Sequence, residues 1–414
     1  MSTSAAPRAY LDHAAAAPVR PQVAEQVAAD LHHRATGWAN PAAQHASGRR
    51  VGALLAEARA RLAAVLDADP HEVIFTSGGT EADALVVTGR VLAARADGVG
   101  TPAIITSPVE HPAVLDSART AEAHLGAEHV EVEVDDAGLV DPESLREAVS
   151  GRRAALVSVM TANNETGAVQ DIGGLVEIVR EATGVRGPGE PGYVPVHSDA
   201  VAALGRVPVR LRARGLDAMT VSGHKIGAPV GVGALIARRD LTLVSPTGGG
   251  RQERGLRSGT QDVVAARALA LAAELAVGEQ EAESRRLEGL RSRVLEGACA
   301  LTGVRATLPP GTAHVPSTAH LRFEGVDAEA LLMGLDLAGI DVSAGSACHA
   351  GVTGPSHVLL AMGLDDGAAR STLRCSMGPG TTAEDVDRLL AALPAALEGA
   401  RRAWKVTHKP HCEG

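Results

Sequence analysis

Short β-branched segments alternate with longer helical segments through the first two thirds of the chain, and this alternation restricts the fold more than any other feature. The segments that predict strands are EVIF at 72–75, AIITS at 103–107, AALVSVM at 154–160, YVPV at 193–196, AMTV at 218–221 and VGALIARR at 232–239. Segments rich in Ala, Leu, Glu and Arg lie between most of them and are typical of helices. The pattern predicts an α/β fold with a mostly parallel sheet covered by helices.

The pattern changes near residue 266, where a long helical segment begins. Short strand candidates at 318–325 and 339–345 then lie between further helical segments. We therefore expect a large domain over 15–265 and a smaller α+β domain formed by 1–14 and 266–405, followed by a tail at 406–414.

Composition and charge limit the classes of function. The 414 residues carry a net charge of −10, which is unfavourable for general binding of nucleic acid or anionic membranes. The sequence lacks both a run of about 18 apolar residues and the features of a signal peptide. Its cysteines are scattered and form no CxxC, which favours a reducing compartment and a cytoplasmic location. The four are Cys299, Cys348, Cys375 and Cys412, and Cys299, in an Ala-rich helical segment, is expected to be a core residue. The terminal HKPHC could bind a metal ion, but such tails are usually solvated, so we predict no metal site.

Polar residues follow the predicted strands at the sheet edge where open α/β sheets bind ligands. The SGGT turn at 77–80 opens a helix, so it could bind phosphate, or it could be an ordinary turn with Thr80 as N-cap. His111 could stack on a flat ring or act as an acid or base, or it could be a structural histidine. Asn163 and Asn164 offer side-chain amides, or serve only as turn residues.

Two charged residues also end apolar strands. Asp199 could cap a helix, or pair with a buried cationic ring nitrogen. Lys225 could be a surface lysine, or a desolvated amine with a lowered pKa. Each feature alone has an ordinary structural explanation. Together they suit pyridoxal 5′-phosphate (PLP), which has a phosphate, a protonatable ring and an amine-reactive aldehyde.

Seven motifs carry a specific family resemblance. They are SGGTEAD, EHPAVLD, NNETGAVQDI, HSDA, SGHK, RSGT and SAGSAC. Their order resembles that of the cysteine desulfurases, fold type I PLP enzymes of the class V aminotransferase superfamily, over nearly the whole chain. The spacing in CHAGVTGPSHVL is similar to the NifS/IscS-like group. The resemblance implies a large domain with a mostly parallel seven-stranded sheet, a smaller α+β domain and a homodimer.

The resemblance implies roles for the residues around the cofactor ring and the substrate. Lys225 matches the catalytic lysine that holds PLP covalently, and Asp199 matches the partner of the ring nitrogen. His111 matches the histidine over the ring face, a catalytic residue that also binds the cofactor. Asn164 matches an amide near the cofactor and the substrate carboxylate. Arg374 matches the arginine that binds this carboxylate, a task that suits a planar guanidinium.

The resemblance also implies a set of phosphate ligands. Thr80, Ser222 and His224 match ligands within one subunit, and Gly79 lies in the same turn. Thr260 in RSGT matches a ligand supplied by the neighbouring subunit, which is why a homodimer is expected.

Cys348 matches the family nucleophile that takes sulfur from L-cysteine as a persulfide. Because the thiolate is the reactive form, Cys348 needs a group that accepts its proton. Its neighbours are small, and Gly345, Gly351 and Gly354 allow a mobile backbone. We therefore expect 346–356 to be exposed and able to move between the cofactor and an acceptor.

Three positions depart from the family pattern. Ala202 replaces a glutamine that donates to the cofactor, Ala84 replaces an asparagine, and Cys375 stands in LRCS where the family has LRFS or LRLS. Loss of the glutamine is expected to alter the electronic properties and rate of the site, while the lysine, aspartate, histidine and cysteine remain.

The leading hypothesis is a cysteine desulfurase that makes L-alanine and passes sulfur to an acceptor protein for iron–sulfur cluster assembly or thiolation. An alternative is a selenocysteine lyase or another C–S lyase of the same superfamily. A third hypothesis, motivated by Ala202 and Ala84, is a weakly catalytic docking platform for sulfur-accepting proteins. No membrane or direct nucleic-acid partner is expected.

Overall fold

The computed structural model of this chain describes residues 8–32, 39–344 and 354–407. The strands are β1 (Ala9–Tyr10), β2 (Val73–Thr76), β3 (Ala103–Thr106), β4 (Glu128–Glu131), β5 (Ala154–Ser158), β6 (Val196–Asp199), β7 (Ala218–Ser222), β8 (Gly233–Ala237), β9 (Val304–Ala306), β10 (Thr318–Phe323), β11 (Ile340–Asp341) and β12 (Thr372–Ser376). The helices are α1 (Pro21–His32), α2 (Ala46–Val65), α3 (Gly79–Ala96), α4 (Pro112–Leu125), α5 (Pro142–Val149), α6 (Ile172–Thr183), α7 (Val263–Cys299), α8 (Ala328–Leu337), α9 (His357–Ala361), α10 (Asp366–Arg370) and α11 (Ala383–Thr407).

The largest sheet has seven strands in the order β2-β8-β7-β6-β5-β3-β4. Six of them run parallel, and β8 runs antiparallel between β2 and β7. The predicted α/β fold with a mostly parallel seven-stranded sheet is confirmed. Strands such as β7 are buried along their whole length, so helices must cover both faces. Helices α3 and α4 cover one face, and α2, α5, α6 and the first half of α7 cover the other.

Strand β4 was not among the segments that the sequence predicts as strands. It lies at the sheet edge and pairs only with β3 in the described sheet. Its residues Glu128–Glu131 are exposed or partly exposed, and two of the four are glutamates. An edge strand needs no continuous apolar run, because one side of it faces solvent.

A second core lies around a three-stranded antiparallel sheet in the order β12-β10-β9. Helices α8 and α11 and the second half of α7 pack on this sheet. Strand β1 pairs in parallel with β11, so the N-terminal segment joins this core through Ala9 and Leu11. Helix α7 therefore contributes to both cores.

Within the described ranges, no helix is long and apolar enough to cross a membrane.

Candidate functional site

The predicted ligand-binding residues follow strands that run in the same direction. Gly79 comes after β2, His111 after β3, Asn164 after β5, and Asp199 ends β6. Lys225 follows β7 in a short 3-10 turn, Gly223–Lys225. Because the carboxyl ends of parallel strands meet at one edge, residues far apart in sequence share this edge of the sheet.

The first turn of α3 is built for close approach to β7 and its neighbours. A side chain at Gly79 would place its Cβ 2.9 Å from Val201 Cγ2, so only glycine fits without a shift. The same position is 3.6 Å from Ser222 Cβ, and a 2.9 Å hydrogen bond joins Ser222 Oγ to His224 Nδ1. Thr80 follows as an exposed residue. The N-terminal end of an 18-residue helix thus lies beside a hydroxyl and an imidazole, a combination that suits phosphate.

Asp199 and His111 are positioned by local hydrogen bonds. Asp199 is buried at the end of β6, and its Oδ1 accepts from the Val201 N–H at 2.8 Å. His111 is the N-cap of α4, and its Nδ1 accepts from the Ala113 N–H at 3.1 Å. Burial raises the pKa of Asp199, while His111 and Lys225 oppose that rise. A ring bearing a cationic nitrogen would give this carboxylate the partner that burial requires.

Lys225 has the properties of a desolvated amine. Its Nζ donates to Ala14 O at 2.5 Å and to Ala15 O at 2.9 Å. Burial, together with the positive charges of Arg374 and Arg206, lowers the pKa of Lys225 to about 8. An amine in that range exchanges protons near neutral pH, which an ordinary surface lysine does not.

Arg206 is expected to set part of this shift, because its Nη2 donates to Lys225 O at 3.2 Å. In cofactor-free protein, Arg206→Gln should raise the Lys225 pKa by about one pH unit, since removing a nearby cation favours the protonated amine. The measurement is pH titration of side-chain ¹³C signals in lysine-labelled protein, where the sequence has three lysines. The exposed Lys405 is an internal control. An unchanged Lys225 midpoint would contradict the assigned effect of Arg206.

Arg374 links the smaller sheet to the large one. It lies in β12, is 6% exposed, and donates from Nη1 to Asn164 O at 2.8 Å. Its Nη2 donates to Asp12 Oδ1 at 2.9 Å, while its buried Nε has no hydrogen-bond partner in the described part of the protein. The guanidinium is therefore held in place with donor capacity to spare, as recognition of a carboxylate requires.

Sequence reasoning missed Asp12 and Arg206 as members of this site. Asp12 lies in YLDHAAAAP, which is not among the seven motifs, and Arg206 has no signal in its local sequence. Both approach Lys225 closely enough to affect its pKa, Asp12 raising it and Arg206 lowering it.

The remaining predicted residues lie elsewhere or outside the described ranges. Thr260 is exposed and lines a surface groove with Leu31 and Val230. Cys348 lies outside the described residues.

Of the segment 346–356, which was expected to be exposed, only 354–356 lie within the described residues. Gly354 is exposed, but the expectation fails at Ser356, which is buried, donates to Glu165 Oε2 at 2.5 Å and caps α9. A second expectation about the cysteines is wrong. Cys299, expected from its Ala-rich helix to be a core residue, is exposed at the end of α7.

The assembled groups fit PLP on structural grounds. The α3 N-terminus, where a Cβ at Gly79 finds no space, suits a phosphate, and the buried carboxyl of Asp199 suits a ring nitrogen. The amine of Lys225 suits an aldehyde.

Comparisons with known proteins agree with this chemistry. The Aminotransferase class-V family profile matches residues 9–389. An IscS-like cysteine desulfurase of Mycobacterium tuberculosis is 45% identical over 397 residues, covering 95% of this chain and 98% of that protein. The cysteine desulfurase IscS of Methanosarcina thermophila is 35% identical, covering 97% of this chain and 95% of that protein. A solved structure described as a NifS-like protein superposes with a TM-score of 0.84 at 31% identity, covering 94% of this chain and 99% of that chain.

Proposed function

The chain belongs to the aminotransferase class-V family and, within it, to the cysteine desulfurases, and from that membership we propose how its own residues convert L-cysteine to L-alanine. The observation that carries the proposal is the pair formed by Lys225 and Asp199. An amine with a pKa of about 8 acts electrostatically on a buried carboxyl at the ligand-binding edge of the sheet.

The family cofactor is PLP, and the residues that would hold it follow from the site. The α3 N-terminus with Gly79 and Thr80, together with Ser222 and His224, would bind the phosphate. Asp199 would bind the ring nitrogen, His111 would lie over the ring, Asn164 would lie near the cofactor hydroxyl, and Lys225 would form the covalent bond.

The residues of the chain then divide the reaction between them. Bound PLP supplies a sink for the electrons released when the substrate Cα–H bond breaks. Lys225 moves that proton, since its pKa of about 8 lets it accept and donate near neutral pH. Arg374 and Asn164 bind the substrate carboxylate, and the contact between Arg374 and Asp12 keeps the guanidinium oriented.

Cys348 supplies the nucleophile in the sulfur-transfer step. Its thiolate attacks the substrate sulfur, so an S–S bond forms while the substrate Cβ–S bond breaks and its electron pair passes to Cβ, which takes up a proton. A thiol and cysteine thus become a persulfide and alanine, with no external oxidant or reductant. The two sulfur atoms of the new S–S bond together lose the two electrons that Cβ gains.

The persulfide would then pass to a sulfur-acceptor protein for iron–sulfur cluster assembly or thiolation. We place this chemistry in the cytoplasm, since the scattered cysteines favour a reducing compartment.

The direct test is product analysis with purified, PLP-loaded protein. Incubation with L-cysteine and a reductant should release alanine and sulfide in equal amounts, with kcat/KM higher than for L-cystine. Selenocysteine measured in parallel distinguishes a selenocysteine lyase. Absence of alanine from a protein that binds PLP would contradict the proposed reaction.

We also propose a homodimer built on the face that carries Thr260. Leu31 and Val230, beside Thr260 in one groove, are 66% and 79% exposed. Large apolar side chains clustered at one surface are typical of protein contacts. A second copy at this face would supply Thr260 to the phosphate site of its neighbour.

Val230→Asp is therefore expected to convert the dimer into a monomer and to weaken PLP binding, because it introduces a charge at the contact. Light scattering after size-exclusion chromatography measures the mass. Leu337→Asp is the matched control, since Leu337 is 82% exposed on α8, away from the groove. A Val230→Asp protein that remains dimeric would contradict this choice of interface.

A further inference from the structure

A cluster of polar side chains lies beneath Asp199, inside the sheet face covered by α3. Asp83 on α3 is 1% exposed, and Ser158, His197 and Thr220 on neighbouring strands are fully buried. The surrounding core is apolar, and includes Ala82, Val86, Leu156 and Ala218. Buried polar groups are costly unless they satisfy one another, so this cluster needs an explanation.

The hydrogen bonds of the cluster centre on His197, and Asp83 lies beside them. His197 Nδ1 is 2.9 Å from Ser158 Oγ, and His197 Nε2 is 3.0 Å from Thr220 Oγ1. The Thr220 hydroxyl also faces Asp83 and lowers the pKa of its carboxyl. Asp83 Oδ1 lies 3.7 Å from His197 Nε2 and has no hydrogen-bond partner among the described residues.

The charges around Asp83 do not favour a carboxylate. The titratable groups facing it are His197, Asp199 and Glu110. Burial lowers the His197 pKa to about 3, so this imidazole is neutral and supplies no positive charge. Burial and the charge of Asp199 raise the Asp83 pKa, with a smaller contribution from Glu110, while the Thr220 hydrogen bond opposes the rise.

Asp199 has a more favourable environment for ionisation. It faces the positive charge of Lys225 and the imidazole of His111, and it accepts a hydrogen bond from the Val201 N–H. Two adjacent buried carboxyls cannot both ionise without a large cost, so one of them retains a proton. The environments assign that proton to Asp83.

We propose that Asp83 is a positioning residue that keeps the shared proton of the Asp83–Asp199 pair, so that Asp199 is the ionised member at neutral pH. The assignment of the proton to Asp83 applies to the cofactor-free protein. The consequence for PLP rests on the proposed function: the ring nitrogen would face one negative charge, held in place by the neutral chain Asp83–Thr220–His197–Ser158.

The first experiment is ¹³C NMR of the full chain without cofactor, labelled only at aspartate carboxyls. Glu110 is silent in this spectrum. At pH 7 the wild type should show one aspartate carboxyl at the shift of a protonated acid, and Asp83→Asn should remove it. Asp199 should titrate with the same midpoint in both proteins, because its neighbour is neutral in each. Ionisation of both Asp83 and Asp199 at pH 7 would overturn the proposal. A protonated aspartate signal that remains in the Asp83→Asn protein would overturn it as well.

The second experiment compares two buried aspartates by thermal unfolding at pH 7. Asp83→Asn should change Tm by no more than about 2 °C, because one neutral group replaces another. Asp217→Asn is the contrast: Asp217 is 1% exposed and pairs with Arg180 at 2.9 Å, so its loss leaves a buried cation unpaired and Tm should fall clearly. A loss of Tm in Asp83→Asn equal to that in Asp217→Asn would mean that Asp83 is ionised.

The visible absorbance of PLP-loaded protein tests the consequence for the ring. Its pH profile should be unchanged by Asp83→Asn through the neutral range, whereas Asp199→Asn should shift it. A shift of a pH unit or more in Asp83→Asn would overturn the assigned proton. If the NMR result is as expected but the protein does not bind PLP, the proposed function is contradicted. The assignment of the proton to Asp83 then still holds.

Discussion

Lys225→Ala is expected to lower kcat for alanine formation by at least about 10³-fold, because it removes both the covalent attachment of PLP and the group that moves the Cα proton. The visible absorbance of the bound cofactor should shift to that of a free aldehyde. Folding should be largely retained, since burial of the charged form is a cost in the wild type and lowers the Lys225 pKa to about 8.

The chain offers a matched control for this substitution. Among three lysines, Lys405 is exposed on α11, and Lys405→Ala should leave activity and absorbance unchanged. Borohydride reduction of PLP-loaded wild type should fix the cofactor on the peptide that contains Lys225. Attachment to the peptide of Lys405 or Lys409, or full activity in Lys225→Ala, would contradict the assignment.

Cys348→Ala is expected to lower turnover with L-cysteine by at least about 10³-fold while PLP stays bound. The reason is that, among the described residues, Cys299 lies at the end of α7 and Cys375 is buried in the smaller core, so neither replaces this thiolate as the acceptor. Because Lys225 and Arg374 remain, binding of L-cysteine should persist, and the change in cofactor absorbance on adding L-cysteine measures it.

Cys299→Ala is the control, since Cys299 is exposed at the end of α7. If loss of any exposed thiol lowered turnover, this variant would also be slower. Cys375 is a poorer comparison, because it belongs to the smaller core and burial raises the pKa of its thiol to about 12. Equal losses in Cys348→Ala and Cys299→Ala would argue against a dedicated nucleophile.

The sequence predicts those parts of the fold that burial imposes on a continuous segment. Buried strands such as Gly233–Ala237 consist of an unbroken run of apolar and small residues, which a pattern reveals. The edge strand Glu128–Glu131 needs none and escapes detection. The prediction that Cys299 is a core residue was wrong, because the sequence of an Ala-rich helix does not show which of its faces packs against the core.

The residues of the candidate site likewise divide into those that a local sequence pattern predicts and those that only packing brings together. Asp199 and Lys225 are predictable because a charged residue at the end of a buried strand, or in the turn after it, is unusual in itself. Asp12 and Arg374 are 362 residues apart, so their contact depends on packing that no local pattern encodes. Asp83 and Arg206 were missed for the same reason. The domain boundaries and the roles of individual residues stay predictions.

Mass spectrometry of the peptide that contains Cys348, after brief treatment of PLP-loaded protein with L-cysteine, tests the central claim most directly. The account predicts the added mass of one sulfur atom on Cys348, formed with one alanine per modified chain and absent in Lys225→Ala. Alanine release at the normal rate with the added sulfur on Cys299, Cys375 or Cys412, or on no cysteine, would contradict it.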